Sequence, residues 1–233
     1  MSVDSNGNSV AGATNTEPSI SRTGGRFIAF TSTGSTLIAG VVGQQIYVYD
    51  RQTGQPSLAS KSSLGSAGIG GVSSAASVSA DGRFIAFAST ATNLVPGVSG
   101  QQIYLHDTQT SVAFPNGQTT LVSKNNSGTA GDGLSKTPTI SNDGRFIAFA
   151  SSSSNMVIGI SGAQIYRHDT QASVAFPNGQ TIPVSIDDSG VAGVGLSTGP
   201  AITGDGSAIA FVSTAPLAPG AAAVSDIYVR ALP

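Results

Sequence analysis

The chain has 233 residues with 30 Gly, 11 Pro, only 9% charged side chains and a formal net charge of −2. No Lys/Arg cluster occurs, which removes the electrostatic footprint of nucleic-acid binding. Cys is absent, which removes disulfides, thiolate metal sites and Cys nucleophiles. No apolar run approaches the roughly 20 residues of a membrane-spanning helix, and residues 1–7 show neither the basic nor the apolar region of a signal peptide.

In chain order, Ser2-Val3-Asp4-Ser5-Asn6-Gly7 matches the later Ser185-Ile186-Asp187-Asp188-Ser189-Gly190, the end of an outer strand and the connector that follows it. Asp4 to Asn8 also has the oxygen-rich opening of a calcium loop, but lacks its sixth-position Gly and closing Glu. Gly25-Arg26-Phe27-Ile28-Ala29-Phe30 follows. It returns at Gly82–Phe87 and Gly144–Phe149, and in a worn form as Gly206-Ser207-Ala208-Ile209-Ala210-Phe211. The markers Arg26, Arg83, Arg145 and Ser207 are 57, 62 and 62 residues apart. A fixed period of this size signals an array of supersecondary units.

Each copy has one internal order. A short alternating run (Ser19-Ile20-Ser21, Ser77-Val78-Ser79, Thr139-Ile140-Ser141, Ala201-Ile202-Thr203) leads into a tight turn; in the last three copies it is Asp-Gly, at Asp81, Asp143 and Asp205. The next strand places Phe84, Ala86 and Ala88 on one face and Ile85 and Phe87 on the other. Both faces are apolar, so the strand is expected between two packed layers. A Pro/Gly loop, as at Asn93–Gly97, precedes a third strand carrying Ile46-Tyr47, Ile103-Tyr104, Ile165-Tyr166 or Ile227-Tyr228, and a fourth strand is read at 119–123 and 182–185. Four strands per copy is the content of a propeller blade.

Copies two and three share an insertion before the fourth strand, Ser111–Thr119 and Ser173–Thr181, where the first copy has only Gln52-Thr53-Gly54-Gln55. Its Asn-Gly pair favours a tight reversal, and Phe114 and Phe176 are candidate partner contacts on the two protrusions. The chain stops after the third strand of copy four. That strand is therefore expected to offer an open edge at Ile227, Tyr228 and Val229, to be completed by residues 2–10, by a neighbouring chain or by sequence not present here.

Chemistry-bearing residues are sparse. His106 and His168 occupy equivalent strand positions held elsewhere by Tyr49 and Arg230, so they read as solvent-facing rather than as metal or proton-transfer groups. The recurring Asp81, Asp143 and Asp205 read as turn residues. No G-x-S-x-G elbow, dinucleotide fingerprint or P-loop occurs; Gly97–Gly100 and Gly159–Gly162 are each one residue short of the elbow. No catalytic, cofactor or metal residues are assigned.

The hairpin with its Asp-Gly-Arg-Phe-Ile-Ala-Phe segment, the Asn93-Leu94-Val95-Pro96-Gly97 loop, the Ile46-Tyr47-Val48-Tyr49-Asp50 strand and the outer Leu121-Val122-Ser123 resemble the TolB-like, WD-like propeller repeats of bacterial envelope proteins over nearly the whole chain. The resemblance implies an all-β, single-domain propeller (1–233) of four blade-type repeats at 17–74, 75–135, 136–197 and 198–233 with 1–16. For function we expect a non-enzymatic, extracytoplasmic structural or accessory subunit with a protein partner or self-assembly. The alternatives are a carbohydrate-binding propeller, tested at Tyr49, and a scaffold fragment of a larger envelope protein or hydrolase.

Overall fold

The computed structural model describes residues 2–232, which hold fifteen strands and no helix. The first sheet comprises β1 (Asn15–Ile20), β2 (Phe27–Ser32), β3 (Gln45–Asp50) and β4 (Gln55–Leu58). The second comprises β5 (Ser73–Val78), β6 (Phe84–Ser89), β7 (Gln102–Asp107) and β8 (Gln118–Leu121). The third comprises β9 (Ser135–Ile140), β10 (Phe146–Ser151), β11 (Gln164–Asp169) and β12 (Gln180–Pro183). The fourth has three strands, β13 (Ser197–Ile202), β14 (Ala208–Ser213) and β15 (Asp226–Ala231). Every sheet is an antiparallel meander in chain order, so all four are propeller blades as the repeat predicts.

The first hairpin of each blade is set by its turn. Asp81 Oδ1 accepts the Ser79 hydroxyl at 2.7 Å and the Arg83 N–H at 3.0 Å, and Gly82 takes φ +78°, a conformation that costs glycine little. Asp143 and Asp205 repeat the arrangement, so these carboxylates serve the turns as expected. The second strand then alternates across the sheet. Ala86 and Ala88 face the third blade, while Ile85 and Phe87 face the first.

Blades therefore pack in sequence, each joint closing one apolar core. Ala29, Ile46 and Val48 of the first blade meet Val78, Ile85, Phe87 and Tyr104 of the second. Ile103 and Leu105 meet Ile147, Phe149 and Tyr166. Ile165 meets Ile202, Ile209 and Phe211. A stacked Phe–Tyr pair stands on the face each blade turns to its predecessor, with centroids 5.9–6.0 Å apart.

The innermost strands β1, β5, β9 and β13 lie side by side. Their turns are joined by backbone hydrogen bonds from Thr23 to Ala80, Ala80 to Asn142 and Asn142 to Gly204. Arg22 spans the array, donating to Asn142 Oδ1 and to the Ile202 carbonyl, both at 3.4 Å.

Residues 2–14 do not extend the fourth sheet. They fold as a connector against the first blade, with an isolated bridge Val3–Ser9 equivalent to Lys61–Ala67, Lys124–Ala130 and Ile186–Ala192. Asp4 Oδ1 caps the turn by accepting from Asn6 and Asn8, as Asp187 does from Ser189 and Val191. Val10 packs on the first blade's core. Of the alternatives left open by the sequence, completion of the fourth blade by this chain's own N-terminal segment is not the one adopted. The reason is local: the segment has a connector's capping residues, and the connector's seat is the face of the blade that follows it.

Candidate functional site

Three devices recur at each covered joint. The Phe at the start of the second strand lies over the turn glycine of the next blade: an added Cβ would meet Phe27 at 2.0 Å on Gly82, Phe84 at 2.2 Å on Gly144 and Phe146 at 2.2 Å on Gly206. The preceding Arg stacks on that ring, 4.6–4.7 Å from its centroid, and clamps the Asp that ends the third strand through two hydrogen bonds of 2.7–2.8 Å. The Arg26 clamp holds the Asp50 carboxyl well below the usual carboxylate range. Finally, Gln45, Gln102 and Gln164 accept from Ser60, Ser123 and Ser185 at 2.5–2.6 Å, and each serine oxygen accepts the N–H of Ile46, Ile103 or Ile165 at 2.9 Å.

The fourth blade loses all of these together. Ser207, Ala208 and Ala231 replace Arg, Phe and Asp, and Asp226 replaces Gln. No outer strand pairs with β15 among the described residues. Ile227 is 78% exposed and Val229 71%, whereas Ile46, Ile103 and Ile165 are at 0% and Val48 and Leu105 at 4–5%. Ile227 and Val229 thus stand on an uncovered apolar face beside an unpaired strand edge. Tyr228 points the other way, stacking on Phe211 and packing against the third blade's core. At the opposite end of the array the first blade also has an uncovered face, where Ile20 is 56% exposed although its equivalents Val78, Ile140 and Ile202 are buried at 3–6%.

The insertion loops do not project their phenylalanines. Phe114 and Phe176 are half-buried, and each carbonyl closes its loop by accepting from Gly117 or Gly179 at 3.0–3.1 Å. Asn116 and Asn178 lie against Gly65 and Gly128 of the preceding connector. The fully exposed apolar residues of the loops are Val112 and Val174. Tyr49 is half-buried.

The histidines overturn the solvent-facing expectation: both are 1% exposed. Nδ1 of His106 and of His168 lies 2.9 Å from the hydroxyl of Thr119 or Thr181, and these hydroxyls donate to the carbonyls of Lys61 and Lys124. Strand alternation puts His106 on the face of Tyr104, where the preceding connector and Gly117 roof it over. Burial, reinforced by the Lys61 and Lys124 charges, lowers His106 to about 4 and His168 to about 3. In the fourth blade Arg230 takes the same position, and with no outer-strand Thr available it donates directly to the Ile186 and Asp187 carbonyls at 3.2–3.3 Å. His106, His168 and Arg230 therefore share one task, satisfying the preceding connector, the histidines through a threonine hydroxyl and the arginine directly.

Sequence reasoning missed the Arg–Phe–Asp clamp, although its signal is internal: the three residues occur together in three copies and are absent together from the fourth.

No protein-family model matches the sequence, and no curated protein does. Among solved structures, TolB from Acinetobacter baumannii is 21% identical with a TM-score of 0.51, over 93% of this chain and 40% of that one. The putative TolB from Agrobacterium tumefaciens is 18% identical with a TM-score of 0.54, over 93% of this chain and 61% of that one. The chain thus spans less than two thirds of either. Strand order, repeat and likeness agree, and the chain has the TolB-like β-propeller fold.

Proposed function

We propose that the chain is a non-enzymatic propeller subunit that acts outside the cytoplasm by protein contact. The observation that carries this reading is the uncovered face and edge of the fourth blade, where Ile227 and Val229 are exposed at positions the other blades bury. An apolar face beside free backbone N–H and C=O groups suits strand addition, in which main-chain bonds supply affinity and side-chain pockets supply specificity. The loops bearing Phe114 and Phe176, with Val112 and Val174 at their exposed surfaces, form a second contact surface in this reading. Both histidines and the aspartates of the turns and clamps are engaged in structure, which favours a scaffold over a catalyst. The weakly charged composition and the TolB-like fold support an extracytoplasmic setting.

The test is photo-crosslinking in cells from a reactive residue at Val229, followed by fractionation. A discrete adduct in the extracytoplasmic fraction is expected. No adduct at Val229, or a wholly cytoplasmic protein, would overturn the reading.

A further inference from the structure

The two uncovered faces belong to one joint. Blade by blade, the face carrying Ile46 and Val48, Ile103 and Leu105, or Ile165 receives the next blade's Phe–Tyr face, and this contact occurs three times within the chain. Ile227 and Val229 present the receiving face a fourth time, and among the described residues no blade covers it. Ile20, exposed, and Ile28, half-buried where Ile85, Ile147 and Ile209 are fully buried, present the entering face with no blade covering them among the described residues, beside the Phe30–Tyr47 pair that Leu37, Val41 and Val10 already cover. The molecule thus displays both halves of a contact it already makes with itself.

We infer that the occupant of the fourth blade's face is the first blade of a second copy, docked head to tail; this rests on the contact surface proposed above. The N-terminal connector supports this occupant. The equivalence of the Val3–Ser9 and Lys61–Ala67 bridges places Ser2 where Ser60, Ser123 and Ser185 stand. Each of those hydroxyls accepts the N–H of the isoleucine on the neighbouring third strand at 2.9 Å. A docked second copy brings its Ser2 to the free N–H of Ile227. Residues 2–14 are held against the first blade in the connector conformation, so the incoming blade is preorganised.

The joint between copies lacks two of the devices found within the chain. Ser207, Ala208 and Ala231 remove the Arg–Phe–Asp clamp, and Asp226 removes the Gln clasp. What remains is apolar contact and strand-edge bonding, which makes the association reversible and concentration-dependent. Being heterologous, the contact either closes on itself as a ring or propagates.

The experiment is light-scattering mass across a concentration series for the 233-residue chain and two surface variants, Ile227→Asp/Val229→Asp and Ile20→Asp. All three substituted positions are exposed, so folding is retained and is checked by circular dichroism. The unsubstituted chain is expected to rise from 23.1 kDa to twice that mass or a higher multiple. Each variant alone should stay at 23.1 kDa, and a mixture of the two should recover a pair, because one intact head then meets one intact tail. A monomeric unsubstituted chain at all concentrations would overturn the inference, as would assembly lost in the tail variant but kept in the head variant. In either case a Val229 adduct to a different protein would leave the proposed function standing.

Discussion

Glu17, Ala75 and Thr137 occupy the bulge of the innermost strand with φ of 53°, 54° and 51°, where the fourth copy has Gly199 at 61°. A β-branched residue in this left-handed region is strained. Glu17 has compensation: its carboxylate accepts the Ala75 N–H at 2.7 Å and the Thr31 hydroxyl at 2.8 Å. Thr137 is exposed, so Thr137→Gly should stabilise the chain by about 1 kcal/mol in denaturant melts, strain relief outweighing the entropy added to the unfolded chain. The histidines give a pH dependence whose sign follows from their depressed values. Unfolded chains protonate near 6.5, while folded His106 and His168 resist to about 4 and 3. Between these limits the unfolded state binds more protons, so their contribution is complete above pH 6.5 and declines as pH falls, by about 1.4 kcal/mol per unit for each histidine. Melting temperatures from pH 7.5 to 4.5 should show this decline, and His106→Gln/His168→Gln should flatten it; Asp107 and Asp169, the nearest acidic neighbours, titrate below this window. None of this was legible beforehand. Strand alternation alone does not say what roofs a side chain, and His106 is covered by a connector and an inserted loop from outside its own strand.

At the scale of strands and blades the sequence was far more informative. The period, the turn residues and the two apolar faces of Phe84–Ser89 lead directly to hairpins sandwiched between blades, because side chains alternate across a sheet and both faces of β6 are covered. Ile103 and Ile165 are expected in the inter-blade core on the same logic, and both are fully buried. Ile165→Ala should therefore destabilise by about 2–5 kcal/mol, a large-to-small change in a packed core, and a loss below about 1 kcal/mol would mean the joint collapses around the gap. Less legible was why the turn glycines recur. Turn chemistry accounts for their positive φ, but the contact of Phe84 on Gly144 depends on the neighbouring blade and leaves no local trace. The first blade's outer strand at Gln55–Leu58 is equally quiet in sequence, with Pro56 in a segment of four residues.

In the whole molecule, the three joints are nearest-neighbour contacts, and stability is approximately a sum over blades and joints. The second and third blades each have two covered faces, the first and fourth only one. Native-state hydrogen exchange should accordingly be slowest in β6 and β10 and faster in β14, with β15 exchanging first among the third strands because its outer edge is unpaired. Arg22 is the exception to nearest-neighbour order, since its bonds to Asn142 and Ile202 tie the first blade to the third and fourth. Arg22→Ala should narrow the cooperativity of unfolding more than it lowers stability, visible as a shallower denaturant slope.

The second strands of the two central blades, β6 and β10, read Phe-Ile-Ala-Phe-Ala-Ser alike. A folding chain has nothing within those segments to tell one from the other, so correct placement depends on the connectors that keep each hairpin beside its own neighbours. Once folded, the distinction is permanent; during refolding, a hairpin from another molecule is an equally good substitute. Refolding yield should therefore fall steeply with protein concentration through exchange of whole blades between chains, while the unfolding rate, set by joints already formed, stays constant.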